Sequence, residues 1–224
     1  MKLVIGNYTY SSWSMRPWVF INYHKIPVEI ERHCFFTPEM QQAMDKRFSN
    51  GKVPILEDEG LEIWDSLSIL EYLGDKYPDI KAWPEAPEAR AIARSVSAEM
   101  HSSFQAVRNE MPMNCKKRFP GYPLSDDCYK DIERIQKLWA YCRHHFASQG
   151  EWLFGQYSIA DAMYAPVVMR FRSFDLDLDQ NAREYCEHVL AHESTQAWLQ
   201  NAHLESEIVD EDELDWPGIQ IPMD

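Results

Sequence analysis

The chain has 224 residues, 45% of them hydrophobic, enough for one large core or two smaller ones. Its 36 acids against 22 bases leave a net charge of −14, which excludes the basic stripe of a nucleic-acid binder and disfavours an anionic membrane as partner. No run of about 18 apolar residues is present, so no transmembrane helix is expected, and Met1–Gly6 is too short an apolar start for a signal peptide.

In chain order, Lys2–Gly6 reads as a buried strand. Arg16–His24, with Trp18, Val19, Phe20 and Ile21, reads as a mostly apolar helix stopped by Ile26-Pro27. Val28–Arg32 alternates apolar and charged residues as a strand does. Pro38–Phe48 is a short helix. Val53–Glu57 and Leu61–Trp64 form a strand pair around Asp58-Glu59-Gly60, and Ser66–Tyr77 is a helix with Ile69, Leu70 and Leu73 on one face. This β-α-β-α-β-β-α order resembles a thioredoxin-like α/β domain over residues 1–78.

Pro78, Pro84 and Pro87 then stiffen a linker at 79–87. Beyond it no convincing strand is predicted. Glu88–Met111 places Ile92, Val96, Met100, Phe104 and Val107 at helical spacing, so one long amphipathic helix is expected. Ser125–Ala147 repeats the pattern, and helices follow at about 158–174, 180–191 and 194–205. Residues 88–208 therefore read as an all-α bundle. The segment 209–224 is an acidic tail, either solvated or laid over the body through Trp216-Pro217 and Ile219–Pro222.

Four local patterns stand out, three of them able to carry chemistry. Val53-Pro54 puts a proline, which has no ladder N–H, at a strand mouth. Asp65-Ser66 opens a helix; both are good N-caps, and Ser66 there offers an N–H and a hydroxyl to an anion. Tyr10-Ser11-Ser12-Trp13-Ser14-Met15-Arg16 is a hydroxyl-rich loop entering a helix, with Ser14 read as a cap. Ser158-Ile159-Ala160-Asp161 is a capping box, assigned to folding, and Pro166 inside the following helix removes one backbone bond. The cysteines (Cys34, Cys115, Cys128, Cys142, Cys186) are scattered with no C-x-x-C, so reduced thiols in a cytoplasmic protein are expected. His144-His145 face apart and His188/His192 lack a third ligand, so no metal site is expected.

The two-domain layout and the patterns at 10–16, 53–66 and 158–161 resemble the cytosolic glutathione S-transferases, over nearly the whole chain. The serine-rich loop looks most like the serine-type zeta class and its bacterial relatives. The resemblance implies glutathione as co-substrate, with no metal. Val53, before a cis Pro54, would bind the cysteinyl backbone, Asp65 the γ-glutamyl ammonium and Ser66 its carboxylate, with Lys52 at a further carboxylate.

The glutathione thiol must react as thiolate, against an ordinary thiol pKa of about 8.5, and a hydroxyl at a helix N-terminus favours that form. Ser11, at the family's catalytic-serine position, and Ser12 are the candidates, with Tyr8 and Tyr10 as rivals. Ser11 and Ser14 stand where redox relatives carry cysteines, which excludes a protein dithiol mechanism.

Tyr10, Trp13, Arg16 and Phe104 are possible substrate contacts, and Met100, Met111 and Met113 are available for an apolar wall. The implied activity is conjugation of glutathione to a small electrophile, as in detoxification, by a homodimer joined through the helices at 66–77 and 88–111. The alternatives are a zeta-like maleylacetoacetate-type cis–trans isomerase, against which Trp13 counts because the zeta class has cysteine there, and a non-catalytic binding module of the same fold.

Overall fold

The computed structural model describes residues 1–148 and 150–222. The first half is a four-stranded mixed sheet of β1 (Lys2–Ile5), β2 (Glu29–Arg32), β3 (Ile55–Asp58) and β4 (Leu61–Trp64). The order is β2-β1-β3-β4, with β1 parallel to β2 and antiparallel to β3, and β3 antiparallel to β4. The parallel pair needs a crossover, supplied by α1 (Ser12–Tyr23), while β3 and β4 need only the turn Glu59-Gly60, where both residues have positive φ. Helices α2 (Pro38–Met44) and α3 (Ser66–Lys76) complete this half. Thr37 caps α2 by accepting from Met40 N, and Pro38 fills its first position, where no N–H is needed. Ile69, Leu70 and Leu73 bury the inner face of α3.

The second half is helical: α4 (Pro87–Ser102), α5 (Gln105–Glu110), α6 (Asp126–Phe146), α7 (Ile159–Ser173), α8 (Gln180–Ala191) and α9 (Glu193–Leu204). Helix α7 is its axis and is buried on almost every side. The Asp161 carboxylate ties its start, accepting from Ser158 N and Oγ, Leu153 N and the Tyr185 hydroxyl. Helix α1 packs on α3 within its own half and on α7 and α9 of the other, so one core runs through both halves.

Two sequence expectations need correction. The long helix at 88–111 is two helices, because Ser103 leaves helical geometry and Phe104 takes a left-handed conformation (φ 64°); apolar periodicity continues across the break and conceals it. The second half also contains strands, the short antiparallel pair β5 (Lys117–Arg118) and β6 (Ile219–Gln220). The pair fastens the acidic tail, along with Ile221 N–H donating to Lys116 O (2.7 Å) and Trp216 Nε1 donating to Pro120 O (3.0 Å).

Candidate functional site

The two halves enclose a cleft of about 1310 Å³, large enough for a tripeptide-sized ligand and a small second molecule. One wall comes from the sheet domain. The β1–α1 loop contributes Tyr10 to Trp13, the turn before β3 contributes Asn50 to Pro54, and the β4–α3 junction contributes Trp64 to Ser66. Phe35 to Pro38 form its rim. The other wall holds His101 of α4, Arg108 of α5, Pro112 and Met113, Arg170 of α7, and Asp212.

Nine residues singled out in the sequence thus meet in one cavity: Tyr10, Ser11, Ser12, Trp13, Lys52, Val53, Pro54, Asp65 and Ser66. The Val53-Pro54 bond is cis. Asp65 has φ of 74° with ψ of 134°, outside the left-handed helical well and strained for an L-residue; its Oδ1 accepts from Leu67 N (2.9 Å) and caps α3. Its Oδ2 lies 2.7 Å from His101 Nε2, and since a carboxylate only accepts, that nitrogen carries the hydrogen.

Arg16 and Phe104 do not line the cleft. Phe104 is buried in the core at the α4–α5 break, and Met100 and Met111 are buried with it, leaving Met113 alone of the expected apolar wall. Arg16 is buried behind the cleft, where Nη1 donates to Ser66 Oγ (3.3 Å) and the guanidinium lies 4.1 Å from the centre of the Trp13 ring. Burial, then repulsion from Arg108 and Arg170, pulls its pKa down to about 9.

The two candidate hydroxyls differ in their partners. Ser11 Oγ shares a hydrogen bond with Ser14 Oγ (2.7 Å), and Ser14 Oγ accepts from Gly6 N (3.2 Å). Ser14 is therefore no helix cap: it fastens the loop to the end of β1. Ser12 Oγ accepts from Arg170 Nη2 (3.2 Å) and has no other partner among the described residues. Its own hydrogen remains to be donated, and the adjoining cation makes it a stronger donor. Tyr10 is not such a donor: its hydroxyl donates to Glu213 Oε1 (2.6 Å), and burial followed by that bond raises its pKa.

Little in the sequence points to the helical wall. The Arg108 guanidinium also lies over the Trp13 ring, 5.0 Å from its centre, and donates to Ser103 O and Met100 O. Arg170 donates to Met111 O as well as to Ser12. Burial is the main influence lowering both guanidinium pKa values, that of Arg170 to about 10. Among the described residues no carboxylate lies within 4.0 Å of Arg16, Arg108 or Arg170. Arg108 and Arg170, two guanidiniums lining one cavity of a chain of net charge −14, give this wall a local positive charge suited to an anion. The one sequence signal was a charged residue, Arg170, inside the otherwise apolar run Ala162–Phe171.

Residues 7–84 match the sequence model of the glutathione S-transferase N-terminal domain. A probable maleylacetoacetate isomerase from Caenorhabditis elegans is 26% identical over 179 residues, covering 79% of this chain and 82% of the relative. Among solved structures, a bacterial zeta-class maleyl pyruvate isomerase aligns over 92% of this chain and 100% of its own (TM-score 0.71, 19% identity). A glutathione transferase homologue from a Burkholderia strain, solved with bound glutathione, aligns over 91% and 98% (TM-score 0.66, 21% identity). The fold is that of the glutathione transferases, a thioredoxin-like domain followed by a helical one. Over residues 7–84 the chain carries the N-terminal domain of the glutathione S-transferases.

Proposed function

We propose that this protein is a glutathione-dependent enzyme acting on a small anionic electrophile. Glutathione would lie along the sheet-domain wall, its cysteinyl backbone against Val53 and its γ-glutamyl end at Asp65 and Ser66, with Lys52 near its other carboxylate. The ammonium would share Asp65 with His101, and Arg16 would hold the Ser66 oxygen so that the Ser66 hydrogen points outward. The sulfur would then sit by Ser12, whose hydrogen stabilises the thiolate. Ser11 would support the loop.

The observation that carries the choice of substrate is the unpaired pair Arg108 and Arg170 across the cleft from the glutathione wall. Cis–trans isomerisation of a maleyl-type diacid is favoured over conjugation, because the same activity is named in relatives covering most of this chain. The thiolate adds to one carbon of a cis double bond conjugated to a carbonyl. The resulting single bond turns, and the thiolate leaves as the trans double bond re-forms. Cationic side chains hold the carboxylates and stabilise the transient enolate. Glutathione is regenerated, whereas conjugation to an aryl halide consumes it.

Turnover of maleylacetoacetate with catalytic amounts of glutathione is the expected result, with kcat/KM falling about a hundredfold in Arg108→Gln while that for chlorodinitrobenzene changes little. Stoichiometric loss of glutathione, or an equal fall for both substrates, would contradict it. The five unpaired cysteines fit a cytoplasmic enzyme. The proposed homodimer, joined through α3 and α4, would elute at twice the 26.4 kDa of one chain in size-exclusion chromatography with light scattering.

A further inference from the structure

The anionic wall partner on this cleft is not only a substrate: the chain brings a carboxylate of its own. Asp212 lines the same cavity as Arg170 and Ser12. It belongs to the acidic tail, 42 residues beyond Arg170 in sequence, and its placement is enforced from both sides. Asp212 N donates to Val209 O (3.0 Å), closing a short helical turn at Asp210–Asp212. The next residue is an anchor: Glu213 accepts from the Tyr10 hydroxyl (2.6 Å), Asn114 Nδ2 (3.1 Å) and Lys117 Nζ (2.6 Å).

The carboxylate of Asp212 itself enters no hydrogen bond or ion pair among the described residues, and Arg170 is the cation that attracts it. Burial raises its pKa above the ordinary aspartate value, and repulsion from Glu211 adds to that. The chain therefore holds a poorly solvated carboxylate in the same cleft as a guanidinium that has no ion-pair partner among the described residues. A diacid entering the cleft meets both.

We propose that Asp212 is a specificity-determining residue, a tethered carboxylate that competes with substrate anions for the field of Arg170 and so admits only anions that also engage Arg108. A monoanion gains one guanidinium against the repulsion of Asp212 and is rejected; a diacid gains two. The inference rests on the anionic-substrate reading above.

The test uses maleate, an unreactive diacid, titrated calorimetrically into the full chain saturated with S-methylglutathione. Asp212→Asn is expected to bind maleate about tenfold more tightly (about 1.4 kcal/mol) and to gain by a larger factor for acetate, narrowing the preference for the diacid; an unchanged or widened preference overturns the specificity role. Glu211→Gln makes the same charge change one residue away, on an exposed side chain that does not line the cleft, and is expected to change binding less than twofold. Thermal melts of both variants check folding. Unchanged or weaker maleate binding by Asp212→Asn overturns the inference, and so does equal tightening in the two variants. If S-methylglutathione binds but maleate binds to neither wild type nor variant, the anionic-substrate reading itself falls and takes this one with it.

Discussion

Ser11 and Ser12 are adjacent hydroxyls at one helix start, and their neighbours separate them. Ser11 is occupied with Ser14, whereas Ser12 accepts from Arg170 and keeps its hydrogen. Ser12→Ala is expected to lower kcat/KM about a hundredfold at unchanged glutathione affinity. Ser11→Ala is expected to cost about 1 kcal/mol of stability and less than tenfold in rate, read from denaturant melts and steady-state kinetics. The reverse ranking would return the catalytic role to Ser11, the residue that alignment with the family favours. The hydroxyl-rich loop was legible in the sequence because three serines before a helix are chemically conspicuous. The choice between them was not, because the deciding partner lies 158 residues away.

At the scale of elements, the break at Phe104 matters most. A single helix over 88–111 would carry its periodicity straight past the cleft. The left-handed Phe104 redirects the chain, and His101 and Arg108 from its two sides both reach the cavity. Periodicity legibly placed the helices of the second half but said nothing of that turn, since Phe104 itself is apolar and falls in phase. A second element-level feature is the aromatic junction where α1 meets the α8–α9 corner. Tyr23 stacks on Tyr157 (3.8 Å) and on His192 (4.8 Å), Trp152 packs edge-on to His188 (4.3 Å), and His24 lies against Phe20 (4.6 Å).

Burial lowers the pKa of all three histidines, His24 to about 4. The unfolded chain, with histidines near an ordinary pKa of about 6.5, then binds more protons than the folded one as the pH falls. The stability these groups contribute is complete above that value and is lost as the pH drops toward about 4. For His24, discounted for partial exposure, the loss is on the order of 2 kcal/mol. His24→Phe should flatten the fall in melting temperature between pH 7 and pH 4.5; an unaltered fall would place the acid sensitivity elsewhere.

Over the whole molecule, the C-terminal region is stitched back onto the loop that begins the site. The buried Glu205 carboxylate accepts from Tyr8 N (2.7 Å), Thr9 N (2.9 Å), Thr9 Oγ1 (2.8 Å) and Arg32 Nη1 (3.1 Å). Removing it leaves two buried N–H groups unpaired and Arg32 with only Glu207, so Glu205→Ala is expected to cost about 3 kcal/mol and to loosen residues 7–12. Hydrogen exchange that is faster at Tyr8 to Ser12 than elsewhere would bear this out; a uniform change would not. The sequence leaves the tail open between solvation and docking, because five acids in the six residues 210–215 read the same way in either state until their partners are placed.

Every role proposed for the cleft depends on the sheet-domain wall binding glutathione. Calorimetric titration of glutathione into wild type, Asp65→Asn and Ser66→Ala tests it most directly. Saturable one-site binding to the wild type is expected, weakened at least tenfold by either substitution (about 1.4 kcal/mol or more). No binding to the wild type, or undiminished binding to both variants, would contradict it.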